Sequence, residues 1–298
     1  MTILIDENTT VLVQGITGRE GTARTRTMLD YGTKVLCGVT PGRGGTRVWD
    51  LPVYNTVKEA VSAHSELNAS VTFVPGPQVK DAVVEALEAG IKFIAVPAER
   101  VPLHDSLEMI SWARRKNAKI LGPGSLGLIS AGRGLMGWIG GTAEFAKEIF
   151  KPGHVGVMSR SGGQTSTVAW SITQSGLGVT TALHVGAEPV LGLAFPEILP
   201  LFEHDPDTHA VVMFGEIGTV AEEEAAEVIR EGRFTKPIVA YIAGRSLPAG
   251  VRFSHASAII ERGRGTAESK VKALENVGAT VVDKPQEIAT TIHNLLAR

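Results

Sequence analysis

The stretch Thr10-Val11-Leu12-Val13-Gln14-Gly15-Ile16-Thr17-Gly18-Arg19-Glu20-Gly21 decides the fold. Thr10–Gln14 reads as a buried strand, because β-branched and apolar residues run without a break. Glu20–Tyr31 reads as a helix. Between them Gly15, Gly18 and Gly21 let the backbone turn sharply and come close to a diphosphate. The helix start offers free N–H groups and a partial positive charge. A strand, a glycine turn and a helix in this order predict an anion site on the first βα unit of an open α/β sheet.

The same rhythm continues. Lys34–Val39, Ala69–Val74, Lys92–Val96 and Lys119–Leu121 are strand-like, with helices expected over Gln78–Ala89 and near Asp105–Lys116. Gly122–Gly153 interrupts it with nine glycines and two prolines, so the junction between two units is placed there. The alternation then restarts. Val155–Ser159, Val179–Val185, Ala210–Phe214 and Pro237–Ala243 read as strands. Helices are expected from about Gly163, over Ala221–Arg230, Thr266–Asn276 and Gln286–Leu296. Strands separated by helices imply parallel pairing with right-handed crossovers. The fold class is α/β, with two doubly wound units in tandem.

Composition agrees. Of 298 residues 34 are glycine, 43% are hydrophobic and only 5% aromatic, which excludes a disordered or fibrous chain. Lys plus Arg is 29 against 31 for Asp plus Glu, a net charge of −2, so no basic excess supports nucleic-acid binding. The single cysteine, Cys37, cannot form an internal disulfide and suits a reducing compartment. Neither a signal peptide nor an 18-residue apolar run is visible, so the expectation is a cytoplasmic protein without a membrane anchor.

Ligands of doubly wound sheets sit beyond the carboxyl ends of the strands, which selects a few turns. Thr40-Pro41-Gly42-Arg43-Gly44-Gly45 follows the second strand, with no acid between Asp30 and Asp50 to hold ribose hydroxyls. Arg43 instead suits a ribose phosphate, which coenzyme A and NADP both carry; a solvated loop arginine is the plain alternative. Ser159-Arg160-Ser161-Gly162-Gly163 opens a second helix N-terminus, with Ser161 as a hydroxyl donor or an ordinary N-cap. His255, in Arg252-Phe253-Ser254-His255-Ala256-Ser257-Ala258, stands on a small-residue loop where a neutral imidazole can act as a nucleophile towards phosphorus. Glu216, at the end of a neighbouring strand, could fix its tautomer. The other seven histidines are not clustered in sequence, and no metal-ligand spacing occurs.

Together these segments resemble the α subunit of succinate–CoA ligase and its relatives. The resemblance runs from Ile3-Leu4-Ile5-Asp6 and Gln14-Gly15 to Gly18, through Gly38-Val39-Thr40-Pro41-Gly42 and Leu51–Val57. It continues through Gly122-Pro123, Ser159–Gly162 and Gly215–Gly218 to the His255 loop. It implies a Rossmann-like CoA-binding domain (1–130), a linker (131–152) and a flavodoxin-like phosphohistidine ligase domain (153–298). It further implies that coenzyme A contacts Thr17, Gly18, Arg19, Glu20, Arg43, Pro97, Ala98 and Glu99. His255 would carry the phosphoryl group and Glu216 would contact it. Ser161, Gly162, Gly163 and Ser166 would face phosphate and substrate. ATP or GTP, with Mg, would bind a separate β subunit of ATP-grasp type in an αβ or α2β2 assembly.

The sequence departs from the family pattern at Ser254 and Ser257, at Gly124-Ser125-Leu126, at Ser166 and at Gly186-Ala187-Glu188-Pro189. These departures leave the carboxylate substrate open between succinate, malate and citrate. They also keep a non-catalytic CoA-binding paralogue as an alternative.

Overall fold

The computed structural model describes residues 3–245 and 264–297. The chain begins with β1 (Thr10–Gln14), α1 (Arg19–Tyr31), β2 (Lys34–Val39), β3 (Arg47–Val48), β4 (Leu51–Tyr54), α2 (Val57–Ala63) and β5 (Ala69–Thr72). There follow α3 (Val79–Glu88), β6 (Phe93–Ala95), α4 (Leu103–Arg115) and β7 (Lys119–Leu121). These strands form one sheet in the order β3-β4-β2-β1-β5-β6-β7. All its pairs are parallel except the β3–β4 hairpin. Without the short β3 edge this is the Rossmann order, with its switch point between β1 and β5.

Every residue of β1 is buried, because the sheet is covered on both faces. Val11 and Val13 join one apolar cluster and Leu12 the other, as the two-residue period of a strand requires. Each such side chain contributes about 1.5–3 kcal/mol by leaving water. Cys37 lies in the second cluster, where burial, with some help from the Glu66 charge, pushes its thiol up to about 12.

The second sheet is built from β8 (Gly127–Ser130), β9 (Gly134–Gly137), β10 (Pro152–Ser159), β11 (Val179–His184), β12 (Ala210–Glu216), β13 (Ile238–Ala243) and β14 (Thr280–Val281). Its helices are α5 (Ala143–Ile149), α6 (Gly162–Gln174), α7 (Phe195–His204), α8 (Ala221–Arg230), α9 (Ala267–Glu275) and α10 (Glu287–Leu296). The strand order is β14-β13-β12-β10-β11-β8-β9. The five strands β10–β14 are parallel in the flavodoxin order, with a switch point between β10 and β12.

The stretch 131–152 is more than the linker expected of it: it contains β9, α5 and the start of β10. With β8 it forms an antiparallel hairpin on β11, so the second sheet begins at Gly127, inside the residues assigned to the first domain. Its glycines serve close approach, since a Cβ on Gly127 would stand 1.9 Å from the Met136 carbonyl oxygen. The hairpin also grips the first unit. Thr33 Oγ1 donates to the Leu135 carbonyl at 2.7 Å and accepts its N–H at 2.8 Å. One apolar cluster accordingly runs from Val13 and Val71 in the first sheet to Val157 and Val212 in the second.

Candidate active site

The strand directions bring three of the predicted segments to one edge of the first sheet. Gly15 has φ +80°, a conformation that glycine adopts without strain, and its N–H bonds Val39 O at 2.8 Å. The turn is therefore tied to β2 as it leaves β1. Gly18 is the N-cap of α1 and no side chain caps the helix. Thr17 is half-buried, whereas Gly18, Arg19 and Glu20 are exposed. The Glu20 carboxylate pairs with Arg24 at 3.1 Å rather than closing the helix start.

Beside it, Asn55 Oδ1 accepts the N–H groups of Gly42 and Gly44, each at 3.0 Å. That brace shapes the loop that presents the exposed Arg43. Pro97 and Ala98 are half-buried and Glu99 is exposed at the end of β6. An uncapped helix N-terminus beside a guanidinium fits a ligand carrying both a diphosphate and a ribose phosphate. The turn after β6 also touches the second unit, where Arg100 N–H donates to Glu188 Oε1 at 2.5 Å.

The second site lies at the switch point between β10 and β12. Ser161 is the N-cap of α6, yet its hydroxyl makes no cap bond. The turn is held instead by Ser159, whose Oγ donates to Ser161 O at 2.9 Å and accepts Ser161 N–H at 3.0 Å. The first turn of α6 carries no acid, so its positive end is unopposed from within the helix. Glu216 ends β12, and its Oε1 lies 3.5 Å from Nε of Arg160, a guanidinium just behind Ser161 that is only 2% exposed. His255 and its serine-flanked loop lie outside the described residues. The chain on either side of that segment is tied to the Glu216 turn: Ile217 N–H bonds Ala243 O at 3.1 Å, and Gly218 N–H bonds Gly265 O at 2.7 Å.

Ser166 is placed further along α6. It lines an open cavity of about 400 Å³ with Phe145, Glu148, Ile149, Thr167 and Trp170, a set that includes neither Ser161 nor Gly162. Two histidines separate in sequence come together: His154 and His209 stack with ring centroids 4.2 Å apart. Among the described residues no group of His, Cys, Asp or Glu is arranged to hold a metal ion. Among the same residues no helix is long and apolar enough to cross a membrane.

Sequence reasoning missed four groups that build these sites. Arg160 was visible only as part of a serine–glycine loop, since nothing local separates a buried arginine from a solvated one. His184 is fixed by Leu126 N–H at Nδ1 (3.0 Å) and by the Arg160 carbonyl at Nε2 (3.1 Å), contacts that span two strands. Lys270 acts across similar separations in sequence, and Asn55 across shorter ones. A lysine on the apolar side of a helix was the one available signal for Lys270.

Fold and sites together define a two-unit α/β protein with a glycine turn opening an uncapped helix N-terminus in each unit. The family model for the CoA binding domain matches residues 6–100, and that for CoA-ligase matches 158–280. The chain is 49% identical over 296 residues to the succinate–CoA ligase [ADP-forming] subunit alpha 2 of Archaeoglobus fulgidus, covering 99% of this chain and 100% of that one. It is 45% identical over 299 residues to a subunit of the ADP-forming sulfoacetate–CoA ligase of an Acholeplasma species, covering 99% and 98%. Among solved structures, ATP citrate lyase of Methanosaeta concilii in complex with (3S)-citryl-CoA superposes with a TM-score of 0.90 at 26% identity. That match covers 99% of this chain and 50% of the lyase chain, so this chain spans about half the lyase's length. The chain belongs to the succinate–CoA ligase α-subunit family, whose members are ADP-forming CoA ligases.

Proposed function

We propose that this chain is the phosphoryl-carrying subunit of an acid–CoA ligase that uses succinate or a related di- or tricarboxylate. The nucleotide's terminal phosphoryl group moves to a ring nitrogen of His255 and the nucleoside diphosphate leaves. The phosphoryl group then passes to a carboxylate oxygen, which restores the neutral imidazole and gives an acyl phosphate. The thiol of coenzyme A attacks the acyl carbon and inorganic phosphate leaves.

Glu216 steadies the positive charge that develops on the ring, and the free N–H groups at Ser161–Gly163 hold the phosphoryl oxygens. The carrying observation is the shared switch point. An uncapped helix N-terminus, the buried Arg160 facing the part-buried Glu216 and both flanks of the His255 segment converge there.

Coenzyme A takes the first-sheet edge, with its diphosphate at Thr17–Glu20, its ribose phosphate at Arg43 and its arm along Pro97–Glu99. The nucleotide and Mg belong to a β subunit of ATP-grasp type, in an αβ or α2β2 complex. A lyase chain twice as long as this one supports a second chain supplying what is missing. The buried, single Cys37 supports work in the cytoplasm. Relatives named for succinate and for sulfoacetate show that the acid varies within the family, so succinate leads, with malate and citrate behind it.

The test is acyl-CoA formation from CoA, nucleotide and each acid, with this chain alone and with its β subunit. Turnover is expected only in the complex. Turnover by the chain alone, or none with any carboxylate, would overturn the proposal.

A further inference from the structure

Lys270 and Glu222 form an ion pair in which both side chains are completely buried. Removing two charges from water is costly, and apolar residues of the same volume would fill the space as well. The contacts show what the pair does instead. An ammonium has three N–H donors, and Lys270 directs one to Glu216 O (2.8 Å), one to Gly218 O (2.7 Å) and one to the Glu222 carboxylate. Glu222 Oε1 in turn accepts the N–H of Glu216 at 3.0 Å. Both backbone polar groups of Glu216 therefore end on one buried pair.

The residue next to Glu222 holds the far flank of the His255 segment. Lys270 stands on α9, whose entrance is fixed by Glu223: its Oε1 accepts Gly265 N–H and Ser269 Oγ–H, each at 2.8 Å.

We propose that Lys270, with Glu222, is a positioning residue that sets the backbone of Glu216 and thereby aims its carboxylate during phosphoryl transfer. This inference rests on the function proposed above. Displacing a reacting group by about 1 Å can cost on the order of 10²-fold in rate.

The test compares wild type, K270M and the double variant K270M/E222Q, each with the β subunit and radiolabelled ATP. Single-turnover labelling of His255, coenzyme A affinity and the unfolding midpoint are measured. The double variant removes both charges, so it leaves no unpaired ion to unfold the protein. It should melt somewhat below wild type, because the Glu216 and Gly218 carbonyls lose their donor, but stay folded and bind coenzyme A within about twofold, yet label about 10²-fold more slowly. A purely structural pair predicts instead that the folded double variant labels at the wild-type rate, and that result overturns the proposal.

If the double variant does not fold, K270R serves. It keeps the charge but replaces three convergent donors with a planar fork, so slow labelling is again expected and wild-type labelling refutes. Absence of label on wild-type protein would sink the phosphohistidine reading itself, and this inference with it. A labelled wild type with an equally labelled double variant sinks the inference alone.

Discussion

Gly21 stands where α1 passes closest to the turn that launched it, and replacing it with alanine tests the first anion site. A Cβ there would meet Gly15 O at 2.1 Å, Gly15 C at 2.8 Å and Ile16 Cα at 2.9 Å. All three are backbone atoms, so no rotamer change relieves the overlap. Restoring ordinary contact requires α1 to move from the turn by roughly 1 Å, against the packing of buried Thr25, Met28 and Tyr31. Overpacking of this kind costs about 1–3 kcal/mol, which for a chain of this size lowers Tm by roughly 2–5 °C.

The same movement misplaces the N–H groups of Thr17–Glu20, so the Kd for coenzyme A should rise about tenfold or more; each 1.4 kcal/mol is tenfold. Thermal unfolding and titration calorimetry measure the two effects. Gly163 is the control at the other helix start. Its added Cβ meets nothing within 4 Å, so G163A should be neutral or more stable by about 0.5–1 kcal/mol. Wild-type melting and wild-type coenzyme A affinity in G21A would refute the reasoning.

Three further outcomes are expected. Glu216→Gln should slow labelling of His255 by about 10²–10⁴-fold with coenzyme A binding intact, and normal labelling would remove Glu216 from the mechanism. Arg160→Met removes the guanidinium that faces the Glu216 carboxylate at 3.5 Å and should destabilise by about 1 kcal/mol or more in urea unfolding; an unchanged midpoint would contradict the pairing. Native Cys37 should resist alkylation at pH 8, while the urea-unfolded chain reacts readily. Its folded thiol is held near 12 against an ordinary 9.0, so the stabilisation is complete below about 9 and is lost as pH rises from there towards 12. The slope is at most about 1.4 kcal/mol per pH unit, read as wild type minus Cys37→Ala, and a flat difference refutes it.

Much of the fold was legible because parallel strands buried on both faces write themselves as short apolar runs. Thr10–Gln14 and Lys34–Val39 match β1 and β2 residue for residue. What escaped had a physical disguise. α7 contains Pro196 and Pro200, which argue against a helix although the first sits in the opening turn where proline is tolerated. The β8–β9 hairpin is rich in glycines that usually mark loops but here let two backbones touch. β3 and β4 are only two and four residues long.

The site was legible in its turns but not in its supports. Ser161, Gly162 and Glu216 follow strand ends that the sequence announces, and parallel pairing then gathers them. Arg160, His184 and Lys270 act through contacts between residues 24 to 58 positions apart, which no local pattern encodes.

The most direct measurement is phosphoryl transfer from radiolabelled ATP or GTP to the purified chain in complex with its β subunit, followed by acid and base treatment and peptide mapping. The account predicts one base-stable, acid-labile label on the peptide containing His255, absent from His255→Ala and discharged by succinate or a related acid with coenzyme A. A folded complex that binds coenzyme A and takes up no label, or carries it on another residue, would contradict it.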